Sequence, residues 1–377
     1  MPWAGPLVFG VRKYTHTFGN DMSKGDFLQK NWCQTDAERA RRSLAKWYDS
    51  HARDLPWRLT PSLYGTWLSE IMLQQTRVNT GIPKWHLFQE LFPSVEDLAQ
   101  ASEAEVMKAW EGLGYYRRAR LLHQAAKVVV SQGGFPENRE GWLALPGIGP
   151  YTSAAIASIG LGEAVAAVDG NVQRVMSRWG GVTDPVDSKP GAQAIQGVAD
   201  AWLDAARPGD HNQAVMELGA LVCSPKQPRC AVCPVRSTCT SVDNPDMWSV
   251  LPHKTPKRKA ARWDLTWHIA HHGNQVVAIQ RPDTGVWATL WAFPERAPSE
   301  SNTPSRPLIP EVVHVLTHKR IHARMVGTAM TSTEALQTWA QEVNGVVMTW
   351  EECEAKAWPR LATKVWSALK AACMAGN

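Results

Sequence analysis

No stretch of this chain reaches 18 consecutive apolar residues, which excludes a membrane-spanning helix. The start lacks the ordered sequence of charge, apolar stretch and small-residue cleavage site that marks secretion, so a cytoplasmic protein is expected. Strong charge is missing too. The 40 Lys+Arg and 35 Asp+Glu leave a net +5, which permits a polyanionic partner without demanding one. No internal repeat is present, so repeat architectures are set aside. Cysteine is sparse except in one place. Of the seven, Cys223, Cys230, Cys233 and Cys239 fall within 17 residues, while Cys33, Cys353 and Cys373 stand alone. What is present is ample core material. A hydrophobic share of 44% over 377 residues rules out global disorder and suggests two or three domains.

The clustered cysteines follow Cys-x6-Cys-x2-Cys-x5-Cys. Without a secretion pattern, such a cluster points to a metal rather than to disulfides. Four thiolates this close can converge only on a compact ligand. Tetrahedral zinc and an iron–sulfur cluster both satisfy the spacing, and spacing alone does not separate them.

Residues 1–38 show no clear periodicity and read as an extension, with Arg12 and Lys13 its only adjacent cations. Residues 39–222 carry helical patterns such as SLAKWYDSHA, YGTWLSEIMLQQTRV and RARLLHQAAKVVVSQ, punctuated by Pro and Gly, as in an all-α domain. The cysteine module occupies 223–245. Residues 246–262 hold Lys254, Lys257, Arg258, Lys259 and Arg262, and Pro252 and Pro256 interrupt any helix, so a solvated basic linker is expected. Beyond it, in 263–377, the period changes to two. DLTWHIA, QVVAIQR and VVHVLTH alternate as strands do, and helical stretches follow near 334–343 and 360–373, giving an α+β domain.

Three motifs carry chemistry. LPGIGPYTSAAIASIG places Gly147 and Gly149 in a tight hairpin before an Ala-rich helix. Exposed backbone N–H groups and the helix N-terminus together can hold a phosphate. The string resembles the helix-hairpin-helix of DNA repair glycosylases. In VDGNVQRV, Asp169 precedes a helical pattern and can cap it, which favours the ionised carboxylate. In WLSEIMLQQTRV, Glu70 lies among Trp67, Ile71 and Leu73, surroundings that would raise its pKa and keep it protonated. One proton donor and one anion is the division of labour that glycosidic cleavage needs.

EIMLQQT, GLGYYRRAR, LPGIGPYTSAAI, VDGNVQRV and the four-Cys spacing together resemble the MutY family of adenine DNA glycosylases, over about residues 40–377. The resemblance implies a catalytic acid at Glu70 that protonates the adenine ring, and a carboxylate at Asp169 that stabilises the sugar cation. Tyr151 and Asn171 would support that pair. Leu55, Trp57, Arg58, Gln213 and Glu217 would form the adenine pocket. Gln75, with Thr76 beside it, would enter the DNA stack, and Tyr115 would wedge the opposite strand. Gly147 and Gly149 would hold the backbone. Tyr151 stands where strand-cleaving relatives carry a Schiff-base Lys, which implies a monofunctional enzyme. The four cysteines would hold one [4Fe–4S] cluster, with Lys226 and Arg229 presented to phosphates between the first two ligands.

The same resemblance implies that Leu316, Thr317 and His318 read 8-oxoguanine. Relatives have Phe-Ser-His there, so an aromatic contact is lost and a hydroxyl is kept. His314, His318 and His322 are also the set from which a zinc site could be drawn. Residues 269–295 resemble the Nudix fold without its Glu-rich metal box, so this domain is expected to read DNA rather than hydrolyse diphosphates. The expected partner is double-stranded DNA with adenine opposite 8-oxoguanine or guanine, bound by a monomer away from membranes. A pyrimidine-damage glycosylase-lyase and a non-catalytic DNA-binding protein are the competing readings. Tyr151 argues against the first, and the pair Glu70 and Asp169 against the second.

Overall fold

The computed structural model describes residues 34–242, 244–256, 259–298 and 305–375. Residues 1–33 of the extension, with Arg12, Lys13 and Cys33, lie outside the described residues, as do Lys257 and Arg258. Among the described residues, twelve α-helices run from Gln34 to Leu221 with no strand between them. The expected all-α domain is therefore present. Its helices are short and separately capped. Ser62, Ser94, Ser102, Asn138, Asp169 and Ser188 each accept a hydrogen bond from the first turn of the helix they precede.

Two apolar cores form beneath these helices. One gathers Trp67, Phe88, Trp110 and Trp142. The other gathers Leu44, Trp179, Trp202 and Leu218. The helix Gln34–His51 closes the second core by its face of Ala40, Leu44 and Tyr48, one residue every four along the helix. Burying that stripe requires the helix to lie on Pro208–Leu221, which it does. Among the described residues no helix is long and apolar enough to cross a membrane.

The second domain is a mixed sheet with helices on both faces. Its strands are β1 (Ala261–His272), β2 (Gln275–Gln280), β3 (Trp291–Ala292), β4 (Arg306–Pro307), β5 (Val312–Val315), β6 (Lys319–Ala329) and β7 (Val346–Thr349). The path is β3-β2-β1-β6-β4, with β7 on β2 and β5 on β6. β1 and β6 run parallel, from Ala261 opposite Lys319 to His271 opposite Ala329. The period-two reading holds because alternate residues serve opposite faces. Leu265, Trp267 and Ile269 meet Phe293, Trp350 and Leu361, whereas Ala270 and Val277 meet Leu336 and Trp339 of the helix Thr333–Glu342.

The basic segment departs from expectation. Residues 246–262 are not a solvated linker throughout. The helix Pro245–Val250 opens it, capped by Asn244, and β1 ends it. Met247 and Leu251, four apart, are buried. The Arg178 Nε donates to the Leu251 carbonyl at 3.0 Å, and Val186 N donates to the His253 carbonyl at 2.9 Å. The cations begin only after that anchor, and their density concealed the two apolar residues ahead of them.

The domains meet along a hydrogen-bonded seam. Tyr116 donates to the Trp358 carbonyl at 2.9 Å, and Trp358 N donates to Glu111 at 3.1 Å. Lys108 Nζ donates to Glu111 at 2.8 Å and to the Lys356 carbonyl at 3.1 Å. Leu290 and Ala357 of the second domain complete the core around Trp110. Glu111→Ala strips an acceptor from a buried N–H and a partner from Lys108, at a cost of about 1–3 kcal/mol. Limited proteolysis between residues 253 and 261 should then run several-fold faster than in the parent. An unchanged cleavage rate would show that Glu111 does not hold the seam.

Candidate active site

A cleft of about 790 Å³ opens in the helical domain and is lined by Leu55, Glu70, Tyr151, Asp169, Asn171 and Glu217, among others. Three helices set its walls: Leu63–Met72, Pro150–Leu161 and Pro208–Leu221. Small residues let them approach closely. A Cβ on Gly160 would lie 2.5 Å from Leu63 Cδ1, and one on Gly209 would lie 2.7 Å from the Ser158 carbonyl. The Ala-rich string after the hairpin thus serves packing, and its product is a narrow gap between Glu70 and Tyr151.

The Tyr151 hydroxyl donates to Glu70 Oε2 at 2.6 Å. Burial raises the Glu70 carboxyl to about 7. The Tyr151 hydrogen bond opposes that rise and the Asp169 charge reinforces it. Glu70 is therefore substantially protonated near neutrality, as its apolar neighbours in the sequence imply.

Asp169 caps the helix Gly170–Gly180. Its Oδ1 accepts from Val172 N at 2.7 Å, and its Oδ2 accepts from Asn171 Nδ2 at 3.1 Å. The cap is present, but its expected consequence is only partly realised. Burial raises the Asp169 carboxyl above its ordinary value, against the lowering by the Val172 and Asn171 bonds and by Arg174. The sequence reveals the cap and not the depth at which it sits. What separates the two carboxyls is their donors: one hydroxyl for Glu70, a backbone N–H and an amide for Asp169.

Asn171 is held in turn. Arg174 Nη2 donates to Asn171 Oδ1 at 3.0 Å and to the Gly219 carbonyl at 2.7 Å, while its Nε donates to the Cys223 carbonyl at 2.7 Å. The approach to Asp169 is fixed by Asn212. It accepts from Ala167 N at 3.0 Å and donates to Ser158 Oγ at 2.8 Å and to the Val165 carbonyl at 2.9 Å.

At the other wall, Arg58 Nε donates to Gln213 at 2.9 Å and its Nη2 to Glu217 at 3.1 Å. Gln213 and Glu217, four apart on one helix, thus meet a single guanidinium. Arg53, which the sequence reading did not single out, donates to Glu217 through Nε at 2.6 Å and Nη2 at 2.9 Å. Burial would raise the Glu217 carboxyl, but the two arginines outweigh it and leave it lowered. Leu55 is buried beside them, and Trp57 packs with its ring 6.1 Å from Trp85.

Gln75 and Thr76 line the cleft, and Gln75 also lines a neighbouring pocket with Tyr115. Gln75 and Tyr115 are non-glycine residues in the left-handed region, with φ of 57° and 48°. Such backbone is uncommon and concentrates at functional sites. Gly147 also has positive φ, 77°, and a Cβ there would lie 2.6 Å from Leu121 Cβ. Gly149 is extended, and nothing lies within 4 Å of where its Cβ would be. It leaves space at the start of the helix Pro150–Leu161 rather than supplying an unusual conformation.

Across the seam, Leu316, Thr317 and His318 form the turn between β5 and β6, with Thr317 and His318 exposed. The Thr317 Oγ1 and the Tyr115 hydroxyl share a hydrogen bond of 2.6 Å. The three histidines do not converge. His314 packs on the Trp287 ring, and His322 bonds to Glu311 at 2.8 Å.

Cys223, Cys230, Cys233 and Cys239 form no disulfide and are partly buried. Burial, reinforced by the other three thiols, pushes Cys233 up to about 12, and burial with Cys223 and Cys230 pushes Cys239 up to about 11. The four are thus near enough to act on one another. Among the described residues no three His, Cys, Asp or Glu side chains are grouped to hold a single metal ion. Lys226 is exposed, and Arg229 donates to the Leu221 carbonyl.

Residues 68–196 match the family model of the HhH-GPD superfamily base excision DNA repair protein, and residues 265–368 match the NUDIX domain. The chain is 34% identical to a human protein named adenine DNA glycosylase, over 77% of this chain and 67% of that one. It is 32% identical to one of the same name from Buchnera aphidicola subsp. Baizongia pistaciae, over 67% of this chain and 72% of that one. For the namesake from Arabidopsis thaliana the identity is 37%, over 72% of this chain, which spans 49% of that relative's length. Among solved structures, a thermostable thymine-DNA glycosylase superposes with a TM-score of 0.50 at 27% identity, covering 54% of this chain and 95% of that one.

The raised Glu70 carboxyl is also a statement about stability. A carboxyl raised on folding contributes stability below its unfolded value of 4.5, and loses that contribution as pH rises to about 7. Glu70→Gln keeps an acceptor for Tyr151 and cannot ionise. The variant should therefore be more stable than the parent at pH 8, by on the order of 3 kcal/mol if the whole shift is expressed. The advantage should shrink towards pH 5. Thermal melts at both pH values check this, and a constant difference would mean that Glu70 is not desolvated.

Proposed function

The chain belongs to the adenine DNA glycosylase family, and from that premise we propose that it removes adenine mispaired with 8-oxoguanine or guanine, without strong strand cleavage. The observation that carries the reading is the Glu70 carboxyl, kept protonated near neutrality and held by Tyr151 in the cleft that also contains the capped Asp169. Adenine inside a duplex is out of reach of such a cleft, so the nucleotide must be turned out into it. Gln75, which lines the cleft, and Tyr115, which lines a neighbouring pocket with it, are the side chains suited to fill the gap left behind.

Once the base is seated, Glu70 donates its proton to the adenine ring, and the bond between the ring nitrogen and the sugar C1′ breaks with its electron pair on adenine. The sugar becomes an oxocarbenium-like cation. Asp169, held by Val172 N and Asn171, lies in the same cleft to stabilise that charge. Water adds at C1′ and its released proton restores Glu70, so protons balance over the cycle. Leu55, Trp57, Arg58, Gln213 and Glu217 form the wall for the base. Arg58 and Arg53 keep Glu217 ionised there, as an acceptor for an exocyclic amine.

Four cysteines within 17 residues, two of them with thiols pushed up by burial and by their neighbours, are a donor set for an iron–sulfur group. Cys223, Cys230, Cys233 and Cys239 would hold one [4Fe–4S] cluster. When bound, the cluster would supply a rigid tie for residues 223–239. No step above passes through it. Thr317 and His318, exposed beside Tyr115, are the groups placed to meet the base opposite adenine.

The reading is tested by single-turnover excision from duplexes with adenine opposite 8-oxoguanine, guanine, thymine and cytosine. Adenine opposite 8-oxoguanine and guanine should be released fastest, and equal rates on all four would sink the proposed selectivity. Glu70→Gln should be slower by about 10²–10⁴-fold. Because the active form of Glu70 is protonated, the rate should fall as pH rises through about 7. Strand cleavage is tested separately. Tyr151 has no amine for a Schiff base, so borohydride should capture little enzyme on damaged duplex. Efficient covalent trapping would contradict the monofunctional assignment.

A further inference from the structure

Arg118 lies in the first turn of the helix Arg117–Ser131, three residues after Tyr115, and its guanidinium is spent on oxygens from the end of the helix Leu63–Met72 and from two loops. Nη1 donates to the carbonyls of Ile71 at 2.8 Å, Met72 at 3.0 Å and Gln74 at 2.7 Å. Nη2 donates to Thr76 Oγ1 at 3.2 Å and to the carbonyls of Leu113 at 3.2 Å and Gly114 at 3.1 Å. The Arg118 guanidinium also lies 5.1 Å from the centre of the Trp110 ring and 5.7 Å from that of Tyr115. Burial pushes it down to about 10, and Tyr115 is the one group that opposes the shift by its charge. A largely buried cation bonded to carbonyls, with no carboxylate beside it, is expensive.

What the cation holds is specific. The bonded oxygens flank Gln75 on one side and immediately precede Tyr115 on the other. Those two residues have left-handed backbone that is costly and persists only where its surroundings impose it. Ile71 and Met72 directly follow Glu70 on the helix Leu63–Met72. One guanidinium therefore ties both loop tips to each other and to the end of the helix that carries the acid.

We propose that Arg118 is a positioning residue for nucleotide extrusion: it clamps the Gln75 and Tyr115 loops into one unit, so that both side chains enter the duplex together and in register with Glu70. The proposal rests on the reading that Gln75 and Tyr115 fill the DNA stack. A clamp that acts only on the fold would lower the fraction of active enzyme. A clamp that acts on extrusion lowers the rate of the active fraction.

The test uses the full chain with Arg118→Lys, which keeps the charge and loses the planar fork. Its duplex carries 2-aminopurine, a fluorescent adenine analogue that brightens on unstacking, at the target position opposite 8-oxoguanine. Below the variant's own melting temperature, the fluorescence gain on binding should drop at least five-fold. The single-turnover rate constant for adenine at saturating enzyme should fall at least ten-fold, with duplex affinity changed less than three-fold. Extrusion and excision within two-fold of the parent would overturn the clamp, and so would a parallel loss of affinity.

If Arg118→Lys does not fold, the parent decides. Thr76 N bonds to the Leu73 carbonyl in one loop and Leu113 N to the Trp110 carbonyl in the other. Under one clamp, hydrogen exchange at these two amides should report openings within three-fold of each other, and a difference above ten-fold would overturn it. A parent that releases no adenine would sink the function reading alone, since amide exchange needs no substrate.

Discussion

The hydrogen bond from the Tyr151 hydroxyl to Glu70 is the contact on which the rest of the site depends, because it is the polar partner left to a carboxyl that burial has taken out of water. Desolvation alone would favour the neutral acid without fixing its direction. Tyr151 adds direction and partly offsets the rise, holding Glu70 near neutrality rather than far above it. The geometry behind this contact is set by small side chains. Thr152, Ser153, Ala154 and Ala155 are all buried, so the helix that bears Tyr151 comes close to the one that bears Glu70. Larger residues in that stripe would widen the gap and leave an acid with neither water nor a partner, at a cost of a few kcal/mol.

The fold was largely legible in the sequence for an ordinary reason. Period-four and period-two patterns report which face is buried, and both domains bury one face of most of their elements. DLTWHIA lies within β1, and all of SLAKWYDSHA but its last residue lies within the helix that closes the second core. The site was legible where local chemistry makes a pattern, as at the hairpin glycines and the Asp169 cap. It was not legible where a side chain acts across the fold. Arg53, Arg118, Arg174 and Asn212 reach partners 42 to 164 positions away by number, and nothing next to them in the sequence distinguishes them from surface residues. The basic stretch after residue 252 concealed Met247 and Leu251 in the same way, since a charge run draws attention from the apolar pair that anchors it.

A shared device links these unexpected residues. Arg174, Arg178 and Arg118 donate chiefly to backbone carbonyls rather than to carboxylates. Short helices expose their last carbonyls, and a domain of twelve short helices has many such ends pointing inward. A planar guanidinium with five donors can satisfy several of them at once and fix where the ends lie relative to one another. Arg178 does this for Ser224 and Pro225 beside the first cysteine, and Arg174 joins Cys223 to Asn171 and so to Asp169. The cysteine module and Asp169 are thus separated by two side chains, each with a geometry fixed at both ends.

The same logic extends to the junction between the domains. The bond between Tyr115 and Thr317 is exposed, so alone it is worth little in stability. Its importance lies in what the two residues are attached to. Tyr115 is held by left-handed backbone and by the Arg118 cluster, and Thr317 by the tight turn in which Leu316 N donates to the Lys319 carbonyl. Each is rigid within its own domain, and Tyr116, one residue on, is bonded to Trp358 across the seam. A weak bond between two rigid supports constrains their separation more than a strong bond between mobile ones. Under the proposed function these two surfaces would address opposite strands of a duplex, and they are aligned before it arrives, which lowers the ordering cost of binding.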